Sequence, residues 1–387
     1  MSDQKDKPLK VLFISNGLEA GGAEGMLLRL LENIDRGHLS PEVISLTGIG
    51  EIGKKIRELG IQVHDFGLSR TGLLISILSF FRLRRMLKAI NPNVVQTWQY
   101  HADLLGGIAA RLAGIKSVSW GIRNGELPAE HSKFSTRLVR RMCSWLSYWL
   151  PKKVLFNSRE SQKVHAKAGY DERKFEVIPN GFDLRDNVPN TETRATMRRE
   201  LGLAEDTLLV GFFARIDPVK NHDGFLKSAA LIHADLPDTH FVMAGKDVGE
   251  SNPKLLSLIK DNGLAGCVHL LGHRKDVKKL MAAIDVHASA SHTEAFANVI
   301  GEAMASGAPT VATDVGDAAW IIGDTGRIVS RGNMRELAGG ITELLMMSRE
   351  ARRALGDKAR ARIQEEFEIR KVASLYQKYF FHLSGRH

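Results

Sequence analysis

Short apolar runs alternate with amphipathic helical stretches along this chain, and the alternation occurs twice. In the first half, residues 11–15, 42–46, 94–97, 118–121 and 154–157 read as buried strands. Residues 23–34, 52–59, 78–90, 102–113 and 136–149 carry helical periodicity between and after them. In the second half the strands fall at 208–213, 241–244, 268–271, 285–289 and 310–313, joined by helices near 222–233, 253–262, 277–283 and 299–305. A strand apolar along its whole length needs cover on both faces, and a helix after each strand returns the chain to begin a parallel neighbour. The pattern predicts an α/β protein of two Rossmann-like, doubly wound domains facing a cleft. The polar stretch 183–193 separates the halves, and everything after Arg349 reads as helix.

Length and composition agree. A chain of 387 residues, 43% hydrophobic and 25% charged, has room for two cores. Cys143 and Cys267 stand far apart with no metal-ligand spacing, which points to reduced thiols and a cytoplasmic setting. The opening MSDQKDKPLK is polar, and the longest apolar run, residues 73–81, is too short to span a bilayer. The net charge of +10 is unevenly placed: residues 1–180 carry 27 Lys and Arg against 17 Asp and Glu, whereas residues 181–387 carry 27 of each. An excess confined to the first half suggests an anionic partner. Residues 80–88 and 137–153 mix aromatic side chains with Arg and Lys, as interfacial helices do, though such faces also pack on sheets.

Four segments carry candidate chemistry. After the first strand, Gly17-Leu-Glu-Ala-Gly21-Gly22-Ala-Glu24 opens a helix, and adjacent glycines let backbone N–H groups approach an oxyanion. It is neither G-x-G-x-x-G nor a phosphate-binding loop of the G-x-x-x-x-G-K-[ST] type. In Gly211-Phe-Phe-Ala-Arg215-Ile-Asp-Pro-Val-Lys220, two cations straddle a proline turn at a strand's carboxyl end, where Arg215 can fork onto a diphosphate and Lys220 adds a point charge. The stretch Ser291-His-Thr-Glu294-Ala-Phe296-Ala297-Asn298-Val299-Ile-Gly-Glu302 places two carboxylates around a helix start, suiting a ligand with both hydroxyls and phosphate. His101, with Asp103 two residues on, follows another strand; a histidine there equally fits a cap or core role, and Asp103 a helix cap.

With these residues in view, the chain resembles the family-4 glycosyltransferases, whose fold is called GT-B. The likeness is most specific over residues 208–330, where the family reads S-x-x-E-G-F-P-N-V-x-x-E-A-M-A-x-G-x-P; this chain has Ala295 and Ala297 at the usual Gly and Pro, and Ala214 at the Gly of G-R-x-x-x-x-K. The resemblance implies domains at 1–182, on the acceptor side, and 183–365, binding the nucleotide sugar, with residues 366–387 crossing back to the first. It implies that Arg215 and Lys220 stabilise the departing diphosphate, that Glu294 holds the donor sugar and Glu302 the ribose, and that backbone groups at Phe296, Ala297, Asn298 and Val299 assist. It assigns His101 to the donor sugar near its reacting carbon, Gly21 and Gly22 to a phosphate or the acceptor, and the segment of His273 and Arg274 to the nucleobase. Arg123 would lie on the acceptor's path.

The reaction implied is transfer of a hexosyl or N-acetylhexosaminyl group, with retention, from a nucleotide sugar, UDP favoured. The acceptor is a saccharide, with a lipid-linked one in surface-polysaccharide or lipopolysaccharide assembly favoured. The enzyme would act at the cytoplasmic face of the inner membrane through peripheral contact with anionic lipid. The resemblance implies no cofactor or metal, the cation clamp standing in a metal's place, and consistently no Asp-x-Asp occurs in the chain; nucleic acid is not an expected partner. A nucleotide-sugar 2-epimerase of the same fold is the alternative, with a basic nucleic-acid-binding protein more remote.

Overall fold

The computed structural model describes residues 7–68, 77–125, 134–185 and 188–386. The polar opening at 1–6 and the first part of the apolar run, 73–76, lie outside them. The chain divides into two compact units, Met1–Gly181 with Ile369–His387, and Phe182–Glu368.

The first unit runs β1 (Leu9–Ser15), α1 (Gly22–Asn33), β2 (Leu39–Ser45), α2 (Gly50–Glu58), β3 (Val63–Asp65), α3 (Ile77–Ile90), β4 (Val94–Trp98), α4 (Tyr100–Leu112), β5 (Val118–Ile122), α5 (Phe134–Leu146), β6 (Lys153–Phe156), α6 (Arg159–Lys167) and β7 (Phe175–Val177). Its seven strands pair in the order β3-β2-β1-β4-β5-β6-β7, all parallel. Alternation along β1 builds two cores: Leu9, Val11 and Phe13 enter one with Met26, Leu27 and Leu30 of α1, while Leu12 and Ile14 enter the other with Leu83, Leu87 and Leu105.

The second unit contains α7 (Thr191–Glu200), β8 (Leu209–Phe213), α8 (His222–Asp235), β9 (His240–Ala244), α9 (Pro253–Asp261), β10 (Val268–Leu270), α10 (Val277–Ala283), β11 (Val286–Ser289), α11 (Asn298–Ala305), β12 (Thr310–Thr313), α12 (Ala318–Ile322), β13 (Arg327–Val329), α13 (Met334–Met346) and α14 (Arg349–Glu366). Its six strands pair as β10-β9-β8-β11-β12-β13, again all parallel. In each sheet the order reverses once, between β1 and β4 and between β8 and β11. Open parallel sheets bind ligands beyond the carboxyl ends of the strands at such reversals.

The tail is not one helix. α14 stops at Glu366, and α15 (Ile369–Ser384) begins after a break at residues 367–368. The buried Phe367 supplies the reason, since its carbonyl accepts from the Phe182 N–H at 2.8 Å and so cannot continue a helical ladder. α15 belongs to the first unit and buries Ile369, Val372, Tyr376, Tyr379 and Phe380 in the core beside α1. Among the described residues no helix is long and apolar enough to cross a membrane, and no group of His, Cys, Asp and Glu forms a metal cluster.

Two histidines are buried neutral. His165 Nδ1 donates to the Ser161 carbonyl at 2.6 Å and its Nε2 accepts from the Tyr100 hydroxyl at 2.6 Å, which fixes the neutral ring as the Nδ1–H tautomer. Burial lowers its pKa from 6.5 to about 4 and that of the fully buried His287 from 6.5 to about 3. The unfolded chain takes up these protons below pH 6.5 while the native chain does not, so stability rises with pH across this window and is lost on acidification. Each residue should therefore cost about 3 kcal/mol of stability between pH 6.5 and pH 4. Denaturant unfolding followed over that range should show the decline, and His287→Leu should flatten it.

Candidate functional site

In the second unit the loops after β8 and β11 meet. Asp217 Oδ1 accepts from the Val219 N–H at 3.1 Å and folds residues 218–220 into a single 3₁₀ turn. Asn221 follows with φ 57°, and its side chain accepts from the Gly224 N–H at 3.0 Å to start α8. The Val219 carbonyl accepts from the His292 N–H at 2.7 Å, tying this turn to the loop after β11. Lys220 Nζ then bonds Glu294 Oε1, which also accepts from the Ser291 hydroxyl at 2.8 Å. Both side chains are largely covered, 18% and 13% exposed, so their charges attract more strongly than on open surface. Arg215 stands at 60% exposure, with its guanidinium on Asp217, 2.5 Å away.

The Glu294 loop is backed by Gly316, whose φ is +58°. A Cβ there would lie 2.6 Å from the Ala295 carbonyl oxygen and 2.7 Å from that of Glu294, a clash with backbone that a side-chain rotation cannot relieve. Phe296 and Ala297 are buried, and the Phe296 ring packs near Phe182, Phe367 and Trp320, so only their backbone faces the loop's chemistry. Ala297 is the N-cap of α11 and its short side chain caps nothing. Asn298 and Val299 form the first turn of α11 and Glu302 lies one turn further, all three half-buried.

His273 and Arg274 stand apart from this pairing. His273 is exposed, while Arg274 is gripped by Asp276 through two bonds of 2.8 Å and by Glu200 of α7. Those carboxylates, Asp276 first, hold its charge more firmly than usual. Asp276 is the N-cap of α10, but its carboxylate accepts no helical N–H and goes to Arg274 instead.

In the first unit the corresponding loops follow β1 and β4. Gly21 is the N-cap of α1, and a Cβ there would sit 2.3 Å from Glu24 Oε2, so the glycine makes room for a carboxylate folded back over the helix start. Burial raises the Glu24 pKa, opposed by its own N–H and by Gln99. Gln99 Nε2 donates to Glu24 at 3.2 Å, Asn16 Nδ2 donates to Gln99 Oε1 at 3.1 Å, and Asn16 Oδ1 accepts from the Ala102 N–H at 2.7 Å. Gln99 pays for this with φ 81° and ψ 156°, a region essentially confined to glycine. His101, second residue of α4, is half-buried, and burial lowers its pKa, favouring the neutral imidazole. Asn16, Gln99 and Glu24 therefore link the Gly21–Gly22 turn to the first turn of α4 at Ala102, next to His101, a connection that strand-ending positions and a local G-G-A-E pattern do not reveal.

Asp103 does not cap α4, whose N-cap is Gln99. It lies fully buried within the helix, accepts from the Thr97 hydroxyl at 2.5 Å and the Gly121 N–H at 3.2 Å, and burial pushes its pKa up to about 7. Arg123 is buried too: its guanidinium carbon sits 3.6 Å from the Trp98 ring centre, and Nη2 donates to the Tyr376 hydroxyl at 2.5 Å. Its Nε and Nη1 have no partner among the described residues.

At Gly316 backbone angle and backbone crowding both exclude a side chain. Gly316→Ala should destabilise the protein by about 1–3 kcal/mol, whereas Gly339→Ala, in α13 with nothing within 4 Å, should stabilise it by about 0.5–1 kcal/mol. Paired thermal melts measure both.

Comparison with known proteins agrees with this layout. Residues 193–362 match the family profile described as glycosyl transferases group 1, and residues 20–186 that of glycosyltransferase family 4. The UDP-Gal:alpha-D-GlcNAc-diphosphoundecaprenol alpha-1,3-galactosyltransferase of Escherichia coli is 28% identical over 249 residues, 63% of each chain. A D-inositol 3-phosphate glycosyltransferase of Geodermatophilus obscurus is 33% identical over 212 residues, 51% of this chain and 47% of that one. The chain thus spans about half to under two thirds of these two curated relatives. Among solved structures, Anabaena HepE in complex with UDP-glucose superposes with TM-score 0.82 at 24% identity, covering 97% of this chain and 100% of that one. WaaG, a glycosyltransferase involved in lipopolysaccharide biosynthesis, superposes with TM-score 0.71 at 18% identity and the same coverage; both likenesses concern the fold. With two parallel α/β units of this strand order and family matches over most of its length, the chain belongs to the family-4, group 1 glycosyltransferases and has the GT-B fold.

Proposed function

We propose that the protein transfers a hexosyl or N-acetylhexosaminyl group from a UDP-sugar to a saccharide acceptor, with retention at the anomeric carbon, in the assembly of a bacterial surface glycan. The observation that carries this reading is the Lys220–Glu294 pair, held by two loops at the carboxyl ends of β8 and β11 where the sheet order reverses. A diphosphate arriving there competes with Glu294 for the Lys220 ammonium, and Glu294 turns to accept from the donor sugar's hydroxyls. Arg215 supplies a second cation, and the first turn of α11 directs N–H groups and the positive end of its dipole to the same anion. Glu302 accepts from the ribose hydroxyls. The segment of His273 and Arg274 flanks the base.

In the reaction the bond from C1 to the diphosphate oxygen breaks, the acceptor oxygen bonds C1 from the same face, and its proton passes to the leaving diphosphate. Lys220 and Arg215 lower the barrier by matching charge that grows on that leaving group. The first unit supplies the acceptor side, with His101 held neutral to donate to or accept from the donor sugar, and with Gly21, Gly22 and Arg123 toward the acceptor. The family matches and the UDP-glucose bound by HepE support this reading, as does the diphosphoundecaprenol acceptor named for the Escherichia coli relative.

Lys220→Ala should lower kcat by at least about 100-fold, roughly 2.7 kcal/mol of transition-state stabilisation. Glu302→Ala should act mainly by weakening nucleotide binding, seen as a raised KM and a smaller thermal shift with UDP. A melting screen across UDP-, GDP-, ADP- and dTDP-sugars should single out UDP. Near-normal transfer by both variants would remove the proposed site.

The lipid-linked form of the acceptor is supported by α5. Phe134, Leu138, Met142 and Trp145 recur at helical spacing and are exposed, continued by Tyr148 and Trp149, while Val139 and Cys143 on the opposite side are buried. Arg137, Arg140 and Arg141 lie on the same helix. An apolar stripe beside arginines fits the headgroup region of an anionic bilayer. Co-sedimentation should show binding to vesicles containing phosphatidylglycerol, weaker binding to pure phosphatidylcholine, and loss of both in Trp145→Ser/Trp149→Ser.

A further inference from the structure

At the amino ends of β11 and β12, opposite the end that carries Lys220 and Glu294, the second unit has a cavity of about 150 Å³. Arg194 of α7, Asp285 just before β11, and Arg349, Arg352 and Arg353 at the start of α14 contribute to its lining. Asp285 is the hub. Its Oδ1 takes Arg194 at 2.9 Å and Arg352 at 3.6 Å, and its Oδ2 takes the fully buried Arg198 at 2.7 Å. Glu205 pairs with Arg194 at 2.9 Å and with Arg349 at 2.7 Å. Arg353 is exposed and has no ionic partner among the described residues. Four guanidinium groups thus share two carboxylates, with that of Arg353 beside them.

The remaining donors are satisfied by neutral groups. Arg194 Nη1 reaches the Ala283 carbonyl at 2.9 Å, Arg198 Nη1 that of Thr207 at 2.6 Å, and Arg352 Nη1 that of Leu345 at 2.8 Å. Carbonyls fulfil hydrogen-bond geometry but carry no net charge, so around this partly desolvated space the cations outnumber Asp285, Glu205 and the neighbouring Glu350, which acts on Arg349. Burial and the like charge of Arg194 push the Arg198 pKa down against the pull of Asp285, as expected where cations are crowded. A cavity of this volume accommodates about six heavy atoms, and a phosphate group has five. Its charge of about −1.5 to −2 and its tetrahedral oxygens match forked guanidinium donors. Arg349 and Arg353, both exposed, leave the cavity open from solvent on their side.

We propose that this arginine-lined cavity is a second ligand site that binds a phosphate group, supplied either by inorganic phosphate or by a sugar monophosphate. It is independent of the transferase reading, because it shares no residue with the donor site.

The test is titration calorimetry on the full chain at fixed ionic strength, using inorganic phosphate, glucose 1-phosphate and sodium chloride as probes. The wild-type protein and Lys220→Ala should bind one phosphate-bearing probe saturably, and Arg349→Ala/Arg353→Ala should bind it at least tenfold more weakly. Both arginines are on the outer side of α14, and Arg353→Ala alone, with an unchanged melting temperature, guards against misfolding. Tighter binding of glucose 1-phosphate than of phosphate identifies the sugar monophosphate as the ligand; the reverse order identifies the free ion. Heats no larger than those of chloride overturn the proposal, as does binding that survives in the double arginine variant or vanishes in Lys220→Ala.

Discussion

Parallel strands buried on both faces cannot be joined by tight turns, so each connection must travel back along the sheet. That single constraint gathers the loops that carry the candidate transferase residues at the carboxyl edge of the strands in each unit. It leaves the reversal points β1/β4 and β8/β11 as the positions where neighbouring loops diverge. The Asn16–Gln99–Glu24 connection and the Lys220–Glu294 pair are at these two places. The chemistry of the protein follows from its topology more directly than from any one residue.

The elements with long apolar runs were readable without coordinates, because burial on both faces writes itself into residues 11–14 of β1 and into β8 as unbroken hydrophobicity. The short strands β3, β7 and β13 were not. Each has three residues, and their exposed or half-buried positions break the apolar signal. The break between α14 and α15 was equally hidden, since it depends on Phe182 claiming the Phe367 carbonyl from far away in sequence.

At the candidate site, the positions of Arg215, Lys220, Glu294 and Glu302 could be anticipated because each follows or lies near a strand end in a segment with recognisable spacing. What local spacing could not supply was their partners. Asp217 beside Arg215 was in plain sight, but Glu200 on Arg274 is 74 residues away, and Gln99 on Glu24 is 75. The backbone of Gln99 is the clearest instance: glutamine carries no propensity for φ 81°, so only three-dimensional context imposes it. Asp103 shows the opposite failure, a residue that reads as a helix cap but serves as a buried acceptor for β4 and β5.

The placement of α15 bears on how the polypeptide emerges from the ribosome. Residues 369–383 complete the hydrophobic interior built by β1 and α1, filling it with two tyrosines, a phenylalanine and several aliphatic side chains. During synthesis that interior stays open until the whole intervening unit, Phe182–Glu368, has been made. The unit translated second has all its own strands and helices in hand first, and the unit translated first must wait for α15 before it can close.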